Sequence, residues 1–357
     1  MPRPVASPQR TSATSEAPRL LVYVSGHGFG HATRQVALLR ALRERAPRLA
    51  LHVRSSAPEW IFTERKLGVT CSAAPLDPGV VQPTGLDVDR AATLAAHEAL
   101  LAEWEDAVER EARFVRELRP RWIVADVPPL ACAAAARTGV PVWAVANFSW
   151  DWIFGIWAAE DPRWHRVAER YREAYARAEG VHRLPLHGDL GAFRRVLDTP
   201  HLVNRSQRSH AECRAALGVS DPDTRLVLVS FGGFGSGGFE GGAAAELDGY
   251  RFVALEPSAP RDLPGVWRVL PRPSPVAHED LMNACDAVLG KAGYGTVAEA
   301  LAHGTRFLYL PRPDFPEVPV LEQGLLAHGG ARPMPREDFE AGRWRPHLDA
   351  LFAQPPP

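Results

Sequence analysis

Twice in this chain a short apolar, β-branched run stops at a burst of glycine. Leu20 to Ser25 leads into Gly26-His-Gly-Phe-Gly-His31, and Arg225 to Ser230 leads into Phe231-Gly-Gly-Phe-Gly-Ser-Gly-Gly238. A buried strand, a turn that needs glycine and then a helix is the opening unit of an α/β fold. The first unit closes with an amphipathic helix over 32–46, its apolar positions Val36, Leu39 and Leu42 set among Arg and Glu. Two such openings in 357 residues predict two doubly wound, parallel-sheet domains of Rossmann-like type. They would face a cleft at the carboxyl ends of their strands, where such folds bind ligands.

The remaining pattern fits that plan. Strands are expected at 49–55, 122–126, 140–146, 250–255, 287–290 and 306–310. Helices are expected at 87–118, 131–138, 161–178, 276–285 and 294–303, with a last helical stretch at 348–352. Trp164, Tyr171 and Tyr175 recur at helical spacing and read as core. The Arg/His-rich stretch from Pro185 to Pro222 has weak periodicity and reads as the connection. The expected division is a disordered Pro/Ser/Thr-rich tail over 1–18, an acceptor domain over 19–200, a donor domain over 201–345 and a tail over 346–357.

Composition narrows the function. Lys+Arg is 41 and Asp+Glu is 42, a net charge of −1 that argues against a nucleic-acid partner. The four cysteines lie far apart with no CxxC, which argues against a zinc cluster or a disulfide scaffold. No apolar run approaches the roughly 18 residues of a membrane span. The first residues lack the apolar stretch of a secretory signal, so the expected location is the cytoplasm.

Three loops carry chemistry. In the first, Gly28 and Gly30 let the backbone approach a ligand at the positive end of the following helix, and His27 and His31 sit inside the turn. Either imidazole can remove a proton near neutral pH. The competing reading is a structural turn whose histidines merely cap it. GHGFGH is a poor dinucleotide fingerprint, and Val53-Arg-Ser-Ser-Ala57 lacks the acid expected after a second strand. In the second loop, Gly232, Gly233, Phe234 and Gly235 would form an anion nest, without the GKS/T ending of an ATPase loop. In the third, Lys291, Gly293, Gly295 and Thr296 suit phosphate oxygens. Glu299, one turn into the next helix, suits two ribose hydroxyls, and Glu322-Gln323 suit sugar hydroxyls.

A further group follows the strand at 140–146. Asn147, Trp150, Asp151 and Trp152 are expected to face the cleft on the acceptor side, among aromatic neighbours that could also be core. Asp126, at its strand end, is an alternative base. Asp87-Val-Asp89 is a DxD triplet at a helix start, where acids favour the helix dipole, so no metal ligand is assigned.

Gly293-x-Gly295-Thr296-x-x-Glu299-Ala-Leu, then Gly304, Pro311 and Glu322-Gln323, resembles the donor signature of nucleotide-sugar glycosyltransferases with the two-domain GT-B fold, including the MurG-like group. Tyr23-Val-Ser-Gly-His-Gly-Phe-Gly-His-Ala-Thr-Arg34, Asn147-Phe-Ser-Trp-Asp-Trp-Ile153 and Lys291-Ala-Gly-Tyr-Gly-Thr-Val-Ala-Glu299 are similar to the glycosyltransferase-like N-terminal half of L-arabinokinases and free-standing bacterial relatives. The resemblance spans Leu20 to Gly342 and includes no sugar-kinase half, so kinase activity is not expected. It implies a GT-B fold and transfer of a sugar from a nucleotide-diphosphate sugar to an acceptor hydroxyl, without cofactor or metal. Inversion is the simplest scheme, with retention open. Glu299 would hold the ribose. Residues 232–235, Lys291 and Gly295-Thr296 would hold the diphosphate, Glu322 and Gln323 the sugar, and His31 or His27 would be the base. Gly290-Lys291 departs from the His/Ser-Gly pattern common in the wider group. A non-catalytic sugar-nucleotide-binding module, or an epimerase or phosphorylase on the same fold, are the alternatives. Sugar, nucleobase, acceptor and oligomeric state are not specified by these motifs.

Overall fold

The structure, a computed structural model, describes residues 17–231, 247–255, 268–271, 273–355 and 357. The expected tail over 1–18 therefore lies almost wholly outside the described residues, as do Gly232, Gly233, Phe234 and Gly235.

The chain first lays down β1 (Arg19–Val24), α1 (Phe29–Arg45), β2 (Ala50–Ser55), α2 (Trp60–Thr63), β3 (Val69–Ser72), α3 (Arg90–Ala102) and α4 (Trp104–Leu118). It continues through β4 (Trp122–Asp126), α5 (Pro129–Thr138), β5 (Val142–Ala146), α6 (Trp150–Trp157), α7 (Trp164–Tyr175), β6 (Gly180–Arg183) and β7 (Val196–Asp198). A second set follows: α8 (His210–Ala216), β8 (Arg225–Ser230), β9 (Tyr250–Leu255), β10 (Arg268–Leu270), α9 (His278–Ala284) and β11 (Ala287–Lys291). It ends with α10 (Tyr294–His303), β12 (Arg306–Leu310), α11 (Val318–His328), β13 (Ala331–Pro333), α12 (Arg336–Glu340) and α13 (Arg345–Phe352).

Among the described residues these strands form two parallel sheets, ordered β3-β2-β1-β4-β5-β6-β7 and β10-β9-β8-β11-β12-β13. Each sheet is covered on both faces. Leu21 and Tyr23 of β1 enter one core cluster while Leu20, Val22 and Val24 enter another. That two-sided burial is why the strand reads as a continuous apolar run. Each such side chain taken fully out of water contributes roughly 1.5–3 kcal/mol.

The strand order reverses between β1 and β4, and again between β8 and β11. In such sheets the loops leaving the carboxyl ends at the reversal diverge to opposite faces and leave a crevice. In the first sheet Val24 pairs with Asp126, so the histidine loop and that carboxylate start side by side. In the second, Gly290 pairs with Ser230, so Lys291 leaves its strand next to the end of β8.

Three differences from the sequence reading bear on how the domains are built. The helix expected over 87–118 is broken at Glu103 into α3 and α4, which lets Leu94 and Trp104 both reach the core. The stretch from Pro185 to Pro222 supplies β7 to the first sheet and α8 to the second core, where Cys213 and Leu217 are buried. Residues 346–357 are not a free tail through their length: Leu348 and Leu351 of α13 are fully buried against the second sheet with Trp344.

Candidate active site

The loop after β1 is held by hydrogen bonds at its start. Ser25 Oγ donates to Asp77 Oδ1 at 2.9 Å and accepts from the His27 amide at 3.2 Å. Gly28 then takes φ +71°, a left-handed conformation that glycine adopts without strain, and becomes the N-cap of α1. No side chain caps α1, and its first turn holds no acid. The start of this helix therefore has no side-chain cap where Gly28, Phe29 and Gly30 line the cleft.

His31 and Arg34 lie one turn apart on the cleft face of α1. His31 Nδ1 is 2.9 Å from Asp126 Oδ1. Arg34 Nε donates to Asp126 Oδ2 at 2.9 Å, its Nη2 bonds Oδ1, and Gln35 Nε2 donates to Oδ2 at 2.9 Å. Burial opposes the charge on Asp126, but Arg34 and His31 outweigh it and hold the pKa down to about 2. Arg34 Nη2, a donor, also lies 3.0 Å from His31 Nδ1, but it bonds Asp126 Oδ1 as well; the tautomer in which Nδ1–H donates to the carboxylate, which only accepts, keeps a lone pair on Nε2. His27 has the opposite arrangement: its Nδ1 accepts from the Val80 amide at 3.2 Å, which puts its proton on Nε2. Burial, then the nearby His31 and Lys291, push the His27 pKa well below the ordinary value, so it stays neutral.

The carboxylate is fixed from behind. Val127 follows it at φ +70°, a strained setting for a β-branched residue, and the Tyr175 hydroxyl donates to the Val127 carbonyl at 2.5 Å. Arg34 Nη1 donates to Asn147 Oδ1 at 2.7 Å, and Asn147 Nδ2 donates across the cleft to Glu317 Oε2 at 3.3 Å.

The opposite wall is the turn from β11 into α10. Gly293 caps α10 without a side-chain bond, and no acid sits in the first turn. The two uncapped helix starts meet closely: a Cβ on Gly295 would lie 3.3 Å from Gly30 Cα. Lys291 stands at this junction, where burial and then Arg312 lower its pKa to about 7.

Two cavities flank the junction. The larger, about 300 Å³, is lined by Phe29, Trp60, Asn204, His278, Thr296 and Glu299, among others. Glu299 is 5% exposed, with Oε2 2.7 Å from His278 Nδ1, and Asn204 Oδ1 has no hydrogen-bond partner among the described residues. The smaller, about 90 Å³, is lined by His27, His31, Gln82, Lys291, Arg312 and Glu317, with Gly28, Gly30, Gly293, Gly295 and Thr296 around them.

No family model matches the chain. Solved structures share its architecture. The calicheamicin glycosyltransferase CalG4 aligns at a TM-score of 0.62 and 15% identity, over 94% of this chain and 90% of that one. The spinosyn rhamnosyltransferase SpnG, complexed with thymidine diphosphate, aligns at 0.62 and 17% identity, over 94% and 92%. MurG of Acinetobacter baumannii aligns at 0.50 and 14% identity, over 94% and 92%. The chain has the GT-B fold. L-arabinokinase of Arabidopsis thaliana is 34% identical over 349 residues, 97% of this chain. The chain spans about a third of the length of that curated relative, 33%.

In this GT-B cleft, His27, His31, Gly28, Gly30, Lys291, Gly293, Gly295, Thr296 and Glu299 all line one cavity or the other. Other residues singled out by the sequence go elsewhere. Asp126 has no exposed surface and all its oxygen contacts go to donors, so it cannot reach an acceptor hydroxyl as a base; it orients His31. Trp150 and Asp151 do not face the cleft. Trp150 is fully buried and stacks on Phe154, and Asp151 accepts from Ser149 Oγ at 2.5 Å. Trp152 is half-buried under Gly188 and lines neither cavity. Asn147 is fully buried and acts on the cleft through Arg34 and Glu317, and of this aromatic segment it is Phe148 that lines the smaller cavity. Glu322 and Gln323 lie on α11 and line neither cavity, and Gln323 is exposed. Glu317, just before α11, stands where they were expected; burial raises its pKa. Asp89 caps α3 through the Ala92 amide at 2.8 Å, and Asp87 pairs with Arg336. Among the described residues no helix is long and apolar enough to cross a membrane.

Proposed function

We propose that this chain transfers a sugar from a nucleotide-diphosphate sugar to an acceptor hydroxyl, without a metal or other cofactor and with a single inversion at the anomeric carbon. One observation carries the reading: a histidine lone pair oriented by a buried carboxylate lies beside two uncapped helix starts from opposite domains, next to a cavity containing Glu299. Glu299 accepts ribose hydroxyls in the larger cavity. The diphosphate takes the amide groups of α1 and α10 and the Lys291 ammonium. The sugar occupies the smaller cavity, with Glu317 accepting from its hydroxyls.

The step balances within these groups. His31 Nε2 takes the acceptor O–H proton while that oxygen bonds to the anomeric carbon. The bond from that carbon to the diphosphate oxygen breaks, and the electron pair leaves on the diphosphate. Asp126 stabilises the imidazolium that forms. Fixed N–H donors and Lys291 meet the charge growing on the leaving group, which is the role a metal plays elsewhere. CalG4 and SpnG, glycosyltransferases that share this fold, support this reading.

A second reading has its own support. The curated relative is named as a kinase, and this chain matches only 33% of it, so the matched part could serve as a binding module. A thermal-shift screen over UDP- and dTDP-sugars, followed by turnover assays on the best ligand, separates the two. A ligand at 100 times its Kd adds about 2.7 kcal/mol. Glu299→Ala should abolish the shift. His31→Ala should keep the shift and lose turnover by about 10²–10⁴-fold. Unchanged turnover in His31→Ala removes that residue as the base, and binding with no turnover in the wild type favours the module.

A further inference from the structure

The smaller cavity holds more positive charge than a neutral sugar can use. Arg312 follows β12 and Lys291 ends β11, neighbouring strands in which Lys291 pairs with Leu310. Arg312 comes two residues after Leu310, and both cations line the smaller cavity. Burial, then Arg312, lowers the Lys291 pKa, and burial lowers that of Arg312 against the pull of Glu317 and Asp87.

Arg312 is 4% exposed. Its Nε reaches the Leu86 carbonyl at 3.4 Å and its guanidinium lies 5.0 Å from the Phe315 ring centroid. Among the described residues its Nη2 is buried with no hydrogen-bond partner. A buried guanidinium with an unused fork is costly unless a ligand completes it. Gln82 Oε1, on the same cavity, is likewise buried without a partner among the described residues. Glu317, the carboxylate nearest to both cations, spends Oε2 on Asn147 and has a raised pKa, so it offsets their charge only in part. The helix starts of α1 and α10, with Lys291, already supply what a diphosphate needs. A second oxyanion would satisfy Arg312, bidentate geometry being what a guanidinium fork favours.

We propose that Arg312 binds an oxyanion carried by the sugar part of the ligand, a carboxylate or a phosphate, so that the substrate is an acidic sugar. Gln82 accepts from a hydroxyl of the same sugar. This rests on the nucleotide-sugar reading above.

Isothermal titration with UDP, UDP-glucose and UDP-glucuronate tests it on the whole chain. UDP-glucuronate should bind at least tenfold more tightly than UDP-glucose. Arg312→Gln should bring that ratio to about one, and Arg312→Lys should restore part of it. Free glucuronate and glucose 6-phosphate, each titrated with UDP saturating, then tell carboxylate from phosphate: binding of either supports the proposal and names the source. Equal affinity of wild-type protein for the two UDP-sugars, with neither free acid bound, overturns it and leaves the nucleotide-sugar reading standing. So does an Arg312→Gln protein that loses UDP itself as strongly as UDP-glucuronate, because the guanidinium then serves the diphosphate. Failure of UDP, dTDP and all their sugars to bind removes the nucleotide-sugar reading, and this proposal with it. The wild-type ratio decides the matter even where the glutamine variant fails to fold.

Discussion

Four donor groups converge on the two oxygens of Asp126, and the sign of their effect is testable. Its pKa in the fold, about 2, lies below the unfolded value of 3.8. The contribution is therefore complete above pH 3.8 and fades as pH falls toward about 2; it amounts to roughly 2 kcal/mol. Asp126→Asn leaves Arg34 buried without its counter-charge and should cost about 3–5 kcal/mol in urea unfolding. In the same variant kcat should fall with KM little changed, because the amide no longer fixes the His31 tautomer. Lys291 behaves the other way. Its pKa of about 7 lies below the usual lysine value, and a bound anion pulls it back up. Titration of UDP at pH 8 in buffers of different ionisation enthalpy should show proton uptake, and affinity should fall between pH 7 and 9; a flat profile without uptake would refute this. His31 and Asp126 were each legible in the sequence as single residues at strand and loop ends, but not as a pair. Arg34 and Gln35 were passed over in an arginine-rich helix, although positions i, i+3 and i+4 from His31 share its face and that spacing was the available signal.

At the level of elements, the strand-to-glycine joints were readable because each needs what only glycine offers. Gly290 shows why: a Cβ there would lie 1.8 Å from the Ser230 carbonyl oxygen, on the strand paired with β11. Gly290→Ala cannot be relieved by rotating a side chain, since the obstacle is backbone. It should cost about 3 kcal/mol or more, read as a lower urea midpoint, at the high end of overpacking effects. Gly139, which ends α5 with open space around it, is a control with φ +71° strain alone. Short strands such as β6 and β7 were missed, the second because its three residues, Val196, Leu197 and Asp198, are all exposed and too few to set a period. The glutamate at the cleft was misplaced for a geometric reason. Glu322 matches the motif order, but it lies five residues beyond Glu317, and at about 100° per helical residue it points some 140° away. Only the start of α11, set by Pro319 in its first turn, decides which of the two faces the cavity. Glu317→Gln should therefore weaken sugar-nucleotide binding several-fold, while Glu322→Gln should leave it within twofold, both by titration.

For the whole molecule, the question is what holds two separately built domains at one distance. Among the described residues neither sheet supplies a strand to the other, and the contacts across the cleft that follow are made by side chains. Arg40 of α1 and Arg65, just past α2, both clasp Glu279 on α9, with Arg40 Nη2 at 3.1 Å and Arg65 Nη2 at 2.5 Å. Asn204 Nδ2 donates to the Thr33 carbonyl at 3.1 Å on the same rim. None of these contacts was visible in the sequence, because each joins residues far apart whose types are ordinary on a solvated helix. Burial opposes the charge on Glu279, but Arg65 and then Arg40 overcome it and hold its pKa at about 2. A carboxylate depressed in the fold contributes above its unfolded pKa of 4.5 and loses that contribution as pH falls toward about 2. The clasp should thus be intact at neutral pH and weaken only in acid. Glu279→Gln removes the charge at any pH and leaves two partly buried guanidinium groups facing each other, a loss of about 3 kcal/mol in the interface. Small-angle scattering at pH 7 should then show a larger radius of gyration than wild type, and a saturating nucleotide that bridges both domains should reverse it. Glu64, 34% exposed and beside Arg65 at 3.6 Å, is the control: Glu64→Gln should change neither quantity, since an exposed pair contributes little. An unchanged radius in Glu279→Gln would mean that the Gly30–Gly295 approach holds the domains without the clasp.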